Sequence, residues 1–131
     1  MRLHSLFLFL VVPLVLGPYF LHGAETVAVD KTFNGREIKV MSGRIIQVQL
    51  EEAGAAGYVW EIQDLDAAHF EVVSVRTEPP DKPGLVGGPV KKVWLIRVKE
   101  KGYADLQFFH YRPWEGKDKA ANTFRLKVRI L

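Results

Sequence analysis

The sequence contains no cysteine, which removes a large group of functions at the outset. Without a thiol the chain has no Cys nucleophile, no disulfide framework, no Cys-ligated metal and no lipid-modified Cys. An excess of one charge is also lacking, because 18 Lys and Arg are nearly balanced by 15 Asp and Glu. No block of like charges occurs, so a nucleic-acid partner is not indicated. With 131 residues, of which 48% are hydrophobic, the chain is long enough for one domain with a single core.

The N-terminal segment has the composition of a secretory signal peptide. A short positive start, Met1 to His4, precedes an apolar run from Leu6 to Leu16, and Leu21 to Ala24 then offer small residues for cleavage. We predict a cleaved leader over residues 1–24, a mature domain over residues 25–131, and export to the periplasm or the medium. The alternative is an uncleaved membrane anchor, for which the apolar run is short and interrupted.

After the leader the sequence shows alternation of apolar and polar residues, with turn residues every ten positions or so. This pattern predicts an all-β sandwich of about seven to eight strands, in which each sheet buries one face. Trp60 lies within a cleanly alternating strand and is expected in the core. Tyr103 follows a tight turn and could form a tyrosine corner. The predicted strands cover residues 36–41, 44–50, 58–63, 70–77, 91–100, 103–111 and 121–131.

Three loops between these strands have the composition of contact surfaces. The first loop (Glu51 to Gly57) is rich in glycine and alanine, and the middle loop (Glu78 to Val90) is rich in proline and glycine. The third loop (Tyr111 to Gly116) carries Trp114 directly after a proline, which ends strand pairing. Large aromatic side chains on such turns are typical of binding hot spots. A purely structural role stays open for each loop. The first loop could be a turn before a core strand, the middle loop a loose connection, and the third loop a segment folded back on the sandwich.

The remaining polar residues form no pattern of a catalytic or metal site. Two histidines and two serines follow the leader, namely His69, His110, Ser42 and Ser74. Neither serine stands in a nucleophile elbow, so a Ser-His-acid triad is not indicated. His69 with Asp66 and Glu71 fits no ligand spacing, and surface turn residues explain this group equally well. Residues 84–88 lack the Lys and Ser/Thr of a phosphate-binding loop. We therefore expect no enzyme, no metal and no cofactor.

Taken together, the three loops resemble those of the chagasin family, the inhibitors of papain-like cysteine peptidases. Gly57-Tyr58-Val59-Trp60 resembles the end of the family's Asn-Pro-Thr-Thr-Gly-Tyr/Phe-x-Trp loop, and Gly84-Leu85-Val86-Gly87-Gly88 resembles its Gly-x-Gly-Gly loop. Arg112-Pro113-Trp114-Glu115 matches its Arg-Pro-Trp loop. The order and spacing agree from about Lys31 to Leu131. The resemblance implies an immunoglobulin-like sandwich whose three loops wedge into a peptidase's active-site cleft, reversibly and without covalent bonding.

The resemblance also implies a set of peptidase-binding residues and a monomeric inhibitor. These residues are Ala55, Ala56, Gly57, Tyr58, Leu85, Val86, Gly87, Gly88, Arg112, Pro113, Trp114 and Glu115. One departure is clear: Ala53-Gly54-Ala55-Ala56 stands where the family has Asn-Pro-Thr-Thr. The chain thereby lacks two hydroxyl groups and the stiffness of a proline, which affects affinity and target range more than the fold.

Two alternatives of different classes remain at this point. The first is an exported binding module that uses Trp114 and Tyr111 to stack on a glycan or a peptide. The second is an enzyme in which His110 acts with Glu115 or Asp118.

Overall fold

The computed structural model describes residues 26–53, 56–79 and 88–131. Eight strands lie in these residues, which confirms the predicted all-β class. They are β1 (Thr26–Val29), β2 (Glu37–Val40), β3 (Ile45–Glu52), β4 (Val59–Ile62), β5 (Phe70–Glu78), β6 (Val90–Val98), β7 (Gly102–Tyr111) and β8 (Asn122–Ile130). One-turn 3-10 helices lie at Lys31–Phe33 and Lys117–Lys119. None of the helices in the described ranges has the length and hydrophobicity of a membrane span.

The strands form two four-stranded sheets, as the sandwich prediction requires. One sheet has the order β1-β3-β6-β5 and the other has the order β2-β8-β7-β4. The pairs β1–β3 and β2–β8 are parallel, and the remaining neighbours are antiparallel.

The core lies between the sheets and consists of the inward-facing residue of each alternating pair. Successive side chains of a strand point to opposite faces, so a half-buried strand alternates apolar and polar residues. At the centre Phe108 is fully buried and makes edge-on contacts with Trp94 at 4.9 Å and Phe124 at 5.8 Å between ring centroids. Such aromatic pairs each contribute about 0.5–1.5 kcal/mol beyond the burial of their area. Trp60 is 8% exposed, so its predicted place in the core is confirmed.

Two expectations from the sequence are wrong. The first strand is β1 at Thr26–Val29, before the 3-10 helix, whereas we expected the first strand at residues 36–41. Tyr103 is 61% exposed and its ring lies 5.7 Å from the Arg129 guanidinium carbon, so the predicted tyrosine corner is not the role of this side chain.

Candidate functional site

The strand register brings the roots of the three loops to one end of the sandwich. In one sheet Glu52 at the end of β3 pairs with Val90 at the start of β6, next to the end of β5. In the other sheet Val59 at the start of β4 pairs with Tyr111 at the end of β7. The two sheets are joined here, because the Trp60 indole N–H donates to the Glu51 carbonyl at 2.9 Å. The described ends of the first, middle and third loops therefore lie at the same end of the sandwich.

The third loop holds Trp114 away from the core on a tight turn. The Glu115 N–H donates to the Arg112 carbonyl at 3.0 Å, which closes the turn around Pro113 and Trp114. Trp114 is 70% exposed, more than any other large hydrophobic side chain in the described residues. An indole held in water costs hydrophobic free energy, which a partner surface would recover.

Gly57 of the first loop provides the surface on which the Trp114 ring rests. Its φ is +75°, a backbone conformation that favours glycine. A Cβ at this position would overlap Trp114 Cη2 and would lie 3.0 Å from Cζ3. A glycine is therefore required here both by the backbone conformation and by the indole packed against it.

Arg112 makes four contacts, of which two, to Ala56 and Tyr58, join the third loop to the first loop and the residue that follows it. Its Nε donates to the Ala56 carbonyl at 3.0 Å, and its Nη1 donates to Glu115 Oε1 at 3.1 Å. The guanidinium carbon lies 4.5 Å from the centre of the Tyr58 ring and 5.9 Å from that of Trp114. A planar guanidinium can donate in its plane and stack on rings with its faces, which an ammonium group cannot do. Together with the packing of Trp114 on Gly57, Arg112 thus links the two loops.

Of the twelve residues singled out in the sequence, the structure describes eight. It brings together Ala56, Gly57, Tyr58, Arg112, Trp114 and Glu115, with Pro113 exposed at the turn. Gly88 is half-buried just before β6. Four lie outside the described residues: Ala55, Leu85, Val86 and Gly87.

Tyr111 does not belong to the exposed part of the loop, contrary to the glycan-stacking alternative. It is 7% exposed, and its hydroxyl donates to Glu61 Oε2 at 2.7 Å. This bond, together with burial and the negative charge of Glu61, raises the pKa of Tyr111 above its ordinary value. Lys117 Nζ lies 3.9 Å from the same carboxylate oxygen. A buried ring cannot stack on a sugar, so the pair of aromatics that this alternative needs is not available.

Sequence reasoning missed Glu61 and Lys117 as supports of the third loop. Glu61 sits on the outward face of β4, and only the register of β4 against β7 brings it beside Tyr111. A sequence signal existed in the alternation of β4, but it gave no indication of the partner strand.

The enzyme alternative lacks its catalytic pair. Both ring nitrogens of His110 are buried without a hydrogen-bond partner in the described residues, so neither Glu115 nor Asp118 pairs with it, and Glu115 is bonded to Arg112. His69 Nδ1 lies 2.7 Å from Asp66 Oδ2, while Glu71 pairs with Arg97 at 3.2 Å. Within the described ranges no group of three or more His, Cys, Asp or Glu is arranged to hold a metal.

Proteins similar to this chain are found among peptidase inhibitors. The model of the family described as Chagasin family peptidase inhibitor I42 matches residues 39–128. Chagasin of Trypanosoma cruzi is 23% identical over 105 residues, which cover 77% of this chain and 94% of that protein.

Solved structures show the same fold. A cysteine protease inhibitor from Entamoeba histolytica superposes with a TM-score of 0.73 at 19% identity, over 81% of this chain and 96% of that one. The inhibitor PbICP-C, solved in complex with falcipain-2, superposes with a TM-score of 0.53 at 19% identity, over 82% of this chain and 90% of that one. The predicted immunoglobulin-like sandwich is thereby confirmed.

Proposed function

Since the chain belongs to the chagasin family of peptidase inhibitors, we propose that it inhibits papain-family cysteine peptidases by wedging three loops into the active-site cleft. The observation that carries this proposal is Trp114, which is 70% exposed and held by Gly57 and Arg112 at the loop end of the sandwich. An ordered aromatic side chain next to the bare backbone of a glycine suits a narrow cleft. The inhibitor acts as a monomer and remains uncleaved.

Each loop has a distinct part in the proposed complex. Trp114 is the anchor, and Arg112 with Glu115 keeps its turn in place. Ala55 to Tyr58, at the end of the first loop, approach the peptidase's catalytic Cys most closely, since glycine at 57 lets backbone come near another surface. Leu85 to Gly88 of the middle loop form the third contact, which is supported by the position of β5 and β6 at the same end. An inhibitor interface of this class covers about 800 Å² on each partner.

The altered first loop fits a mechanism that depends on backbone groups. The family's Asn-Pro-Thr-Thr is replaced by Ala53 to Ala56, so neither proline stiffness nor Thr hydroxyls are present. The Arg112 bond to the Ala56 carbonyl supplies part of that order from the third loop. A preordered loop loses less conformational entropy on binding, which preserves affinity.

The proposed function is tested by titrating papain with protein expressed from the full chain and purified after export. We expect inhibition that depends on concentration, reverses on dilution and leaves the inhibitor intact by mass. Absence of inhibition of papain and of cathepsin-like peptidases, by protein with the far-ultraviolet spectrum of a β-sandwich, would exclude the proposal.

We propose export on the evidence of the N-terminal segment. The positive start, the apolar run and the small residues before Glu25 support a leader removed near that position. N-terminal sequencing of the exported protein should begin near Glu25, and an intact N-terminus in the membrane fraction would instead indicate an anchor.

Arg112→Lys should weaken inhibition although the charge is kept. A Lys side chain cannot donate to both Ala56 and Glu115 in the same plane or stack on Tyr58, so the first loop loses a link. One lost hydrogen bond is worth about 0.5–1.5 kcal/mol, or roughly a 2- to 10-fold rise in Ki. Arg129→Lys is the matched control, because Arg129 pairs with Tyr103 and Lys39 at the other end of the sandwich. Equal Ki values for the two variants would show that Arg112 does not link the loops.

A further inference from the structure

His110 occupies an unusual position beneath the binding loops. It lies on β7 directly opposite Trp60 of β4, and the two rings stack at 4.6 Å with 15° between their planes. The Tyr58 ring lies 5.2 Å away on a tilt of 39°. Both imidazole nitrogens are buried, and neither has a hydrogen-bond partner in the described residues. A polar ring in such a place is expected to have a partner, so its presence here calls for a physical explanation.

The rings around His110 lead directly into the first and third loops. Tyr58 carries the Arg112 guanidinium at 4.5 Å from its centre, and Arg112 in turn bonds the Ala56 carbonyl. The backbone N–H of Trp60 donates to Glu52 Oε2, and the Trp60 carbonyl accepts from Lys92 Nζ, each at 2.9 Å. A shift of the imidazole would therefore be transmitted through Tyr58 to the residues that support Trp114.

The neutral and charged forms of His110 differ strongly in how well they fit this site. A neutral imidazole stacked on Trp60 buries no charge, whereas an imidazolium would be a buried charge with two unsatisfied donors. Among the described residues, three charged groups contact Trp60 or Tyr58 beside it: the Glu52 carboxylate, the Lys92 ammonium and the Arg112 guanidinium. Only Glu52 among these is an anion, and its charge offsets the cost of burying a positive charge on His110 only in part.

We propose that His110 is a positioning residue for the binding edge, by which we mean Gly57, Tyr58, Arg112 and Trp114. It holds this edge in its inhibitory arrangement only while it is neutral, so that inhibition weakens in acid. This inference rests on the proposed function, because the binding edge is that of the peptidase inhibitor. It adds a pH dependence that belongs to the inhibitor rather than to the peptidase.

The sign of the effect follows from linkage between protonation and structure. Burial lowers the pKa of His110 below its ordinary value of 6.5, and the charge of Glu52 opposes this only in part. If this arrangement is lost and the imidazole becomes exposed to water, His110 regains its ordinary pKa and takes up a proton more readily. The stability of the inhibitory arrangement is therefore fully present above pH 6.5. It is lost as the pH falls from 6.5 toward the lowered pKa of His110.

The test compares the exported wild-type protein with His110→Phe, which keeps a flat ring but cannot titrate. Ki is measured against the same peptidase at about pH 7.5 and about pH 5, on either side of the histidine pKa of about 6.5. Protonation of the peptidase affects both Ki values at a given pH, so it cancels in the ratio of the wild-type Ki to the variant Ki. We expect the ratio of the wild-type Ki to the His110→Phe Ki to be severalfold larger at the lower pH than at the higher pH. A ratio that is the same at both pH values would overturn the proposal.

His69→Gln is the matched control, since His69 lies at the other end of the sandwich beside Gly102. This variant should lose inhibition in acid as the wild type does. If neither protein inhibits at neutral pH, the proposed function fails, and urea unfolding decides the role of His110. The urea concentration at the unfolding midpoint is then measured at several pH values. A midpoint that falls faster in the wild type than in His110→Phe on acidification would uphold the positioning role, and midpoints that fall in parallel would overturn it. An NMR titration of the wild type showing an ordinary histidine pKa at His110 would also overturn it, whether or not the variant folds.

Discussion

Trp114→Ala should weaken inhibition of papain by about 2 kcal/mol or more, which is roughly a 30-fold or larger rise in Ki. The reason is the exposed indole: it is 70% accessible in the free protein and already fixed against Gly57. Its burial in the peptidase would recover hydrophobic free energy with little further loss of side-chain freedom. Because the side chain is outside the core, the free energy of unfolding should change little.

Tyr103→Ala is the control for Trp114→Ala. Tyr103 is also an exposed aromatic, at 61%, but it lies at the start of β7, far along the strand from the third loop. Its removal should leave Ki unchanged. Equal effects of the two substitutions would mean that exposed aromatic area in general, rather than the third loop, determines inhibition.

Gly57→Ala should reduce inhibition about as much as the loss of the indole does. The new methyl group would occupy the space of the Trp114 ring, so the ring must leave its resting place. The residue must also keep a φ of +75°, which costs a non-glycine residue about 1–2 kcal/mol. We expect a Ki near that of Trp114→Ala and a double variant no worse than either single one, since both remove the same anchor.

Gly43→Ala separates the two causes. Gly43 has a φ of +88° but open space around its missing Cβ, and it lies at the opposite end of the sandwich. It should lose similar stability in urea unfolding while Ki stays at the wild-type value. If Gly43→Ala weakened inhibition as much as Gly57→Ala, general loss of stability would be the cause, and the packing of Trp114 on Gly57 would be irrelevant.

Some of the fold could be read from the sequence because burial of one face imposes alternation. In β3 the residues Ile46, Val48 and Leu50 are buried while Gln47 and Gln49 are half-buried, as the alternation predicts. β1 escaped prediction because Thr26–Val29 has no charged residue that would mark an outward face, and its parallel pairing with β3 has no local sequence signal.

The candidate site shows a similar division. The glycine at 57 and the aromatic at 114 are visible as unusual residue types in loops. The Arg112 bond to Ala56 joins residues 56 positions apart, and the stack of His110 on Trp60 depends on the register of β4 and β7. Long-range contacts of this kind follow from the packing of the whole sandwich, so single-sequence patterns do not reveal them.

The measurement that tests the central claim most directly is binding of the exported protein to papain with its active-site cleft either free or filled by a covalent active-site reagent. Isothermal titration should show binding to the free enzyme and none to the filled enzyme, because the three loops need the space that the reagent occupies. Equal affinity for both forms would contradict the account, since it would place the contact surface outside the cleft.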